Sequence, residues 1–234
     1  MALMSKSGVH HVVLLKLGQK AHLQTLREGT LYMRSISYFA KLEADLARAD
    51  PYEGVDYIIQ PRDVGDFRIE SEIPAAGGIS VDPSDLAGAV RIAKTQTSSC
   101  NLFCMFAVSE AIEKPIFAPG YDWFRADSIL LFTNTPQFLE RVGRAAEKRG
   151  ITATGGLIKY FEKDSHSGSI GRFRKDSFYY YQREFRIALE PSSEDPLLLD
   201  VGDLSDITSE VIPFDKADEV LDFSSAAAAA AGLS

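Results

Sequence analysis

The sequence predicts an α+β fold: a single domain whose core is strand-rich, mixed or antiparallel, with a few helices. Three observations carry this. Short runs of β-branched and aromatic residues recur along the chain, bounded by Gly, Pro, Asn and Asp. One segment only, opened by Thr135 and Pro136 and closed by Gly150, carries a full amphipathic helical stripe. No internal repeat or linker divides the chain, so residues 1–223 read as one α+β domain and 224–234 as a low-complexity, Ala-rich tail.

The elements follow in order. Val9 to Leu17 is apolar on both faces, as a central strand is. Lys20 to Glu28 carries Leu23 and Leu26 at helical spacing, and Gly29 stops it. Thr30 to Ser35 resumes strand, and Ser37 caps a helix predicted over Tyr38 to Ala49. Asp50-Pro51-Tyr52-Glu53-Gly54 is a turn, because Pro presets φ and Gly admits positive φ. Tyr57–Ile59 and Asp66–Ile69 read as hairpin pieces, 74–84 as loop, and 85–92 as a brief helix. Asn101 to Val108 and Ser128 to Phe132 are strands, the first preceded by the hydroxyl-rich 95–99. Thr135 reads as N-cap of the helix that buries Phe138, Leu139, Val142 and Ala145/Ala146. Ile151 to Phe161 is strand, Lys163 to Lys175 loop, Leu197 to Leu199 a short strand, and 200–209 loop with a helical turn.

Composition limits the function classes. No run of eighteen apolar residues exists, and the N-terminus lacks the apolar core of a signal peptide, so a cytoplasmic protein without a membrane span is expected. Cys100 and Cys104 read as unbridged thiols in an apolar segment. The four histidines are scattered, so no metal is expected. The carboxylates Glu43, Asp45, Asp50, Glu53 and Asp56 crowd one region, but not at calcium-loop spacing. A nuclease-like metal site there ranks last. A net charge of −8 argues against general nucleic-acid binding. Yet from His166 to Arg186 five bases (Arg172, Arg174, Lys175, Arg183, Arg186) face two acids (Asp176, Glu184). That basic island suits either an anionic ligand or a solvated loop.

It leads into Ser177 to Leu189, the densest aromatic run, which reads as one strand. Period-two alternation places Tyr179, Tyr181, Phe185, Ile187 and Leu189 on one face and Tyr180, Gln182, Glu184 and Arg186 on the other. The polar face is either a solvated strand surface, with Glu184 paired to a base, or a cleft wall. Nucleophile-elbow, Walker and dinucleotide-fold glycine motifs are absent.

Gln182-x-Glu184 on a strand entered from a basic loop resembles the mono-ADP-ribosyltransferases. Leu26 to Phe39, Asp50 to Gly54 and Tyr181 to Arg186 also look like segments of a diffuse group of uncharacterised bacterial and phage proteins with ADP-ribosyltransferase-like features. The resemblance covers roughly the first fifty residues and 175–207, and it lacks the family's clean first-strand motif and its Ser-Thr-Ser motif. It implies an ADP-ribosyltransferase-like fold and NAD as substrate, with Glu184 the catalytic carboxylate and Gln182 orienting a macromolecular acceptor, protein or nucleic acid. His11, Arg34, Ser35, Tyr38 and Arg186 would hold NAD. The alternative is a non-enzymatic protein that binds a partner through the basic face beside 177–189.

Overall fold

A computed structural model describes residues 12–40, 50, 52–64, 67–69, 79–93, 100–109, 126–191 and 195–216. His10, His11, Glu43, Asp45, Thr95 to Ser99 and the tail from 224 lie outside them. The chain is a strand-rich α+β protein whose main sheet pairs antiparallel throughout.

Strand β1 (Val12–Gly18) leads to helix α1 (Lys20–Arg27), strand β2 (Thr30–Ser35) and the single-turn helix α2 (Ile36–Ala40). Short strands follow: β3 (Tyr57–Ile59), β4 (Phe67–Ile69), β5 (Ile79–Val81) and β6 (Val90–Ile92). The long β7 (Asn101–Ser109), then β8 (Ser128–Phe132), precede helix α3 (Thr135–Lys148). Next come β9 (Thr152–Leu157), β10 (Lys159–Phe161), β11 (Gly168–Ser169) and β12 (Arg174–Asp176). The chain closes through β13 (Glu184–Glu190), β14 (Leu197–Asp200) and β15 (Ile212–Pro213).

Eight strands form the main sheet, in the order β14-β2-β7-β1-β8-β15, with β13 also on β7 and β9 on β13. Strand β7 is central because both its faces are apolar. Phe103, Met105 and Ala107 enter the main core with Ile187 and Leu189, beneath Phe138, Val142 and Ala146 of α3 and Leu23 and Leu26 of α1. Each large side chain so buried stabilises by roughly 1.5–3 kcal/mol. Leu102 packs on the opposite face with Ile36, Cys100 and Ala188.

The departures from expectation have local causes. Asn134, not Thr135, caps α3, its Oδ1 accepting the Gln137 N–H at 3.1 Å. Ser35, not Ser37, caps α2, its Oγ accepting the Tyr38 N–H at 3.3 Å; residues 41–49 of the predicted helix lie outside the described residues. No helix forms over 85–92. Pro83–Asp85 makes one 3₁₀ turn, held by Asp82, and β6 is then drawn onto the edge of β3. Ile151 to Phe161 is two strands, parted at Ile158, whose N–H donates to the Glu184 carbonyl.

The largest correction concerns 177–189, which is not one strand. Asp176 Oδ1 accepts the Phe178 N–H at 3.1 Å and starts a 3₁₀ helix over Ser177–Gln182. Arg183 then turns the chain in the left-handed region, φ 40°, before β13 begins at Glu184. A side-chain cap and edge-on ring contacts between Phe178 and Tyr179 override the strand preference of the aromatics. From Glu184 onward the predicted alternation holds: Phe185, Ile187 and Leu189 meet the main core, while Glu184 and Arg186 take the other face.

The registers also place a notch in the sheet. Phe106 pairs with Leu15 on one edge and Glu184 on the other; Leu102 pairs with Arg34 on one edge and Ala188 on the other. Strands β1 and β2 therefore share one edge of β7, and neither is in register with Phe103, Cys104 or Met105. Each leaves β7 there, β1 toward β8 and β2 toward β14. Lys16 reaches across from β1, its Nζ donating to the Cys104 carbonyl at 2.5 Å.

Candidate functional site

A cleft of about 780 Å³ opens at this notch. Its lining includes Lys16 of β1, His22 of α1, Tyr32 and Arg34 of β2, Tyr38 of α2, Cys104 of β7, and Glu53, Lys175, Gln182, Glu184 and Arg186. Four cations (Lys16, Arg34, Lys175, Arg186) against two carboxylates (Glu53, Glu184) give these charged walls a cationic excess, although the whole chain carries −8.

At its inner wall stands a buried chain of charges. Arg186, 1 % exposed, donates from Nε to Glu184 Oε1 at 2.8 Å. Its Nη1 and Nη2 engage Glu53 Oε1 and Oε2 at 2.7 and 3.1 Å, and Nη1 also donates to the Arg172 carbonyl at 2.6 Å. Lys175 Nζ donates to Gln182 Oε1 at 2.8 Å and to Glu184 Oε2 at 3.3 Å, and lies 5.0 Å from the centre of the Tyr179 ring. Bidentate pairing of this kind fixes orientation as well as charge. The Tyr160 hydroxyl accepts the Glu184 N–H at 3.0 Å.

The charge states follow. Burial alone would push the Glu184 carboxyl up. Arg186 and Lys175 overcome it, and with hydrogen bonds from Arg186 and the Cys104 thiol they hold the group well below the usual carboxylate range. Burial would likewise lower Lys175, but Glu184 and Glu53 leave its pKa raised. Burial raises the thiols of Cys100 and Cys104, to about 11 and about 12, so both stay protonated and poorly nucleophilic near neutrality.

Asp50 behaves differently. It is 2 % exposed and has no ion pair among the described residues; burial pushes its carboxyl up to about 6, opposed by the Tyr52 and Asp176 N–H groups and by Lys175, and reinforced by Glu53. A carboxyl raised in the fold binds more protons folded than unfolded, so its ionisation costs stability as pH rises from about 4 through 6. Asp50→Asn retains an acceptor for the Tyr52 N–H and removes that ionisation. The variant is expected to gain stability relative to wild type between pH 5 and pH 7.5, on the order of 1–3 kcal/mol, read by urea unfolding at each pH.

The structure brings together Glu184, Gln182, Arg34, Tyr38 and Arg186 on one cleft. Contrary to the expected alternation on one strand, Gln182 and Glu184 do not share a strand; the turn at Arg183 lies between, and Lys175 joins the two. Ser35 is buried beneath the cleft, engaged with Ser37 Oγ at 2.9 Å. His11 lies outside the described residues. Sequence reasoning named Lys175 in the basic island and Glu53 in the carboxylate cluster without joining either to Glu184 and Arg186, and it missed Lys16. Lys16 had a signal: it is the one charge within the apolar run of β1. The pairing of Glu53 with Arg186 had none, because the two are 133 residues apart. The basic island is not a uniform outer face: Lys175 and Arg186 are buried, and Arg172 pairs with Glu190 at 2.5 Å.

Among the described residues no group of three His, Cys, Asp or Glu side chains could hold a metal ion, and no helix is long and apolar enough to cross a membrane. No family model, curated protein or solved structure matches the chain.

Proposed function

We propose that the protein transfers ADP-ribose from NAD to a macromolecular acceptor, and that its fold is ADP-ribosyltransferase-like. The observation that carries this is Glu184: a carboxylate held ionised in the wall of a cationic cleft, at a notch bordered by the strand-helix-strand unit β1-α1-β2.

In the reaction the bond between ribose C1′ and the nicotinamide nitrogen breaks, the electron pair leaving with nicotinamide. Positive charge develops on the ribose, a lone pair of the acceptor closes on C1′, and the acceptor gives up a proton. A fixed carboxylate stabilises that developing charge, and most strongly where water is excluded. Arg186 and Lys175 each occupy one oxygen of Glu184. The two carboxylate oxygens have about four lone-pair sites between them, so with the Cys104 thiol also bonded one acceptor position remains for a ribose hydroxyl. Lys16 and Arg34 supply positive charge for the diphosphate, and Tyr38, 36 % exposed with the Arg34 guanidinium 4.2 Å from its ring centre, supplies a face for the nicotinamide. Gln182 orients the acceptor from beside Glu184.

The test is incubation with NAD labelled in its adenylate phosphate, together with lysate. Covalent label on a macromolecule, with nicotinamide released, is the expected result; neither label nor nicotinamide above a protein-free control contradicts the reading.

A further inference from the structure

Glu184 and Arg186 occupy only one end of the cleft. Its floor continues over β7 at Leu102 and Cys104, over β2 at Tyr32 and Arg34, and reaches Leu198 of β14. These strands are neighbours in the order β13-β7-β2-β14, so the floor spans three strand spacings, about 14 Å at about 4.8 Å each. A single nucleotide does not fill that length; a ligand with a ring at each end does.

The far end is built for a ring. Tyr32 and Leu198 are in register across β2 and β14, and period-two alternation puts Tyr32 on the same face as Arg34. Tyr32 and Leu198 are each 52 % exposed, so a large apolar pair stands open within the cleft. Arg34 divides this pair from the reacting end, its guanidinium 5.6 Å from the Tyr32 ring centre and 4.2 Å from that of Tyr38. Ring, cation, ring is the order a dinucleotide presents: base, diphosphate, second base.

We infer that Tyr32, seated against Leu198, is the stacking platform for the second base of the ligand, the purine remote from the reacting ribose. This rests on the NAD reading for the identity of the ligand, but concerns a part of the cleft that Glu184 does not touch. Base-on-aromatic stacking is worth about 1–3 kcal/mol by alanine substitution, or roughly 5–150-fold in affinity.

Calorimetric titration of ADP-ribose, and separately of nicotinamide mononucleotide, into wild type, Tyr32→Ala and Tyr32→Trp tests it. Tyr32→Ala is expected to weaken ADP-ribose within that 5–150-fold range and to leave the mononucleotide within twofold; Tyr32→Trp restores ADP-ribose binding. Because Tyr32 is half exposed, the fold survives its truncation, and a circular dichroism melt of each variant checks this. Equal weakening of both ligands, no weakening of either, or no binding of ADP-ribose to wild type overturns the platform. Label transfer from NAD that is intact and insensitive to Tyr32 overturns the platform alone. Tyr32-dependent ADP-ribose binding without any transfer overturns the catalytic reading and leaves the platform standing.

Discussion

Arg186→Met is expected to lower the free energy of unfolding at pH 7 by about 3–5 kcal/mol, the usual result of removing one partner from a buried ion pair. The reason is the arrangement around its guanidinium. Glu53 and Glu184 both depend on it, and both are at most 9 % exposed, so the substitution strands two carboxylates in the interior. Lys175 meets Glu184 only at 3.3 Å, and no hydrogen bond links it to Glu53. The pH dependence between pH 5 and pH 7 should also steepen, beyond the gain at low pH that Asp50 already gives wild type. In wild type, Glu184 is held low, so its contribution is complete above the unfolded carboxylate range and is lost as pH falls through and below it. Without Arg186 the stranded carboxyls rise above their unfolded values, so the variant gains stability as pH falls from 7 toward 5. Urea unfolding of both proteins at pH 5 and pH 7 checks this: the variant's gain at pH 5 exceeds that of wild type. Adding Glu53→Gln to Arg186→Met should recover part of the loss, a non-additivity expected of groups in one network. A loss under 1 kcal/mol, or strict additivity, would show that the chain of charges does not hold this wall together.

How much of this was legible in the sequence depends on how local its cause is. The stripe Phe138, Val142, Ala146 and the stop at Gly150 identify α3, because helix periodicity is written into consecutive residues. The alternation of Glu184 and Arg186 against Phe185 and Ile187 is equally local, and it survived although the predicted strand began seven residues early. What failed in 177–183 was a contest between aromatic strand preference and one cap, which Asp176 wins through a single hydrogen bond. Ser37 and Thr135 misled in the same way: each stands one or two residues after the side chain that bonds the helix N-terminus. Long-range partners were out of reach. Nothing in Asp50 to Gly54 shows that Glu53 will clasp Arg186, and nothing in Lys16 shows that its ammonium will meet the Cys104 carbonyl where β1 and β2 part. The notch itself is a property of register, and register is fixed by pairing across the sheet.

Glu184 is proposed to stabilise the positive charge that develops on ribose. Glu184→Gln is nearly isosteric, and Arg186 keeps Glu53 as its partner, so the guanidinium is not left unpaired. The amide loses the charge and can offer only one acceptor oxygen to Arg186 and Lys175. Removal of a single fixed electrostatic stabiliser from an active site typically lowers kcat on the order of 10²–10³-fold, and a loss of this size is expected here, with the KM for NAD changed far less. Because Glu184 is held ionised well below the usual range, its own titration should place no acid limb on the wild-type profile between pH 5 and pH 8. The most direct measurement is the single-turnover rate of nicotinamide release from NAD, wild type against Glu184→Gln, at matched concentrations of folded protein confirmed by circular dichroism. Release by wild type, and a loss of at least about 10²-fold in the variant, are expected. Equal rates in the two proteins, or no release by wild type, would contradict this role of Glu184.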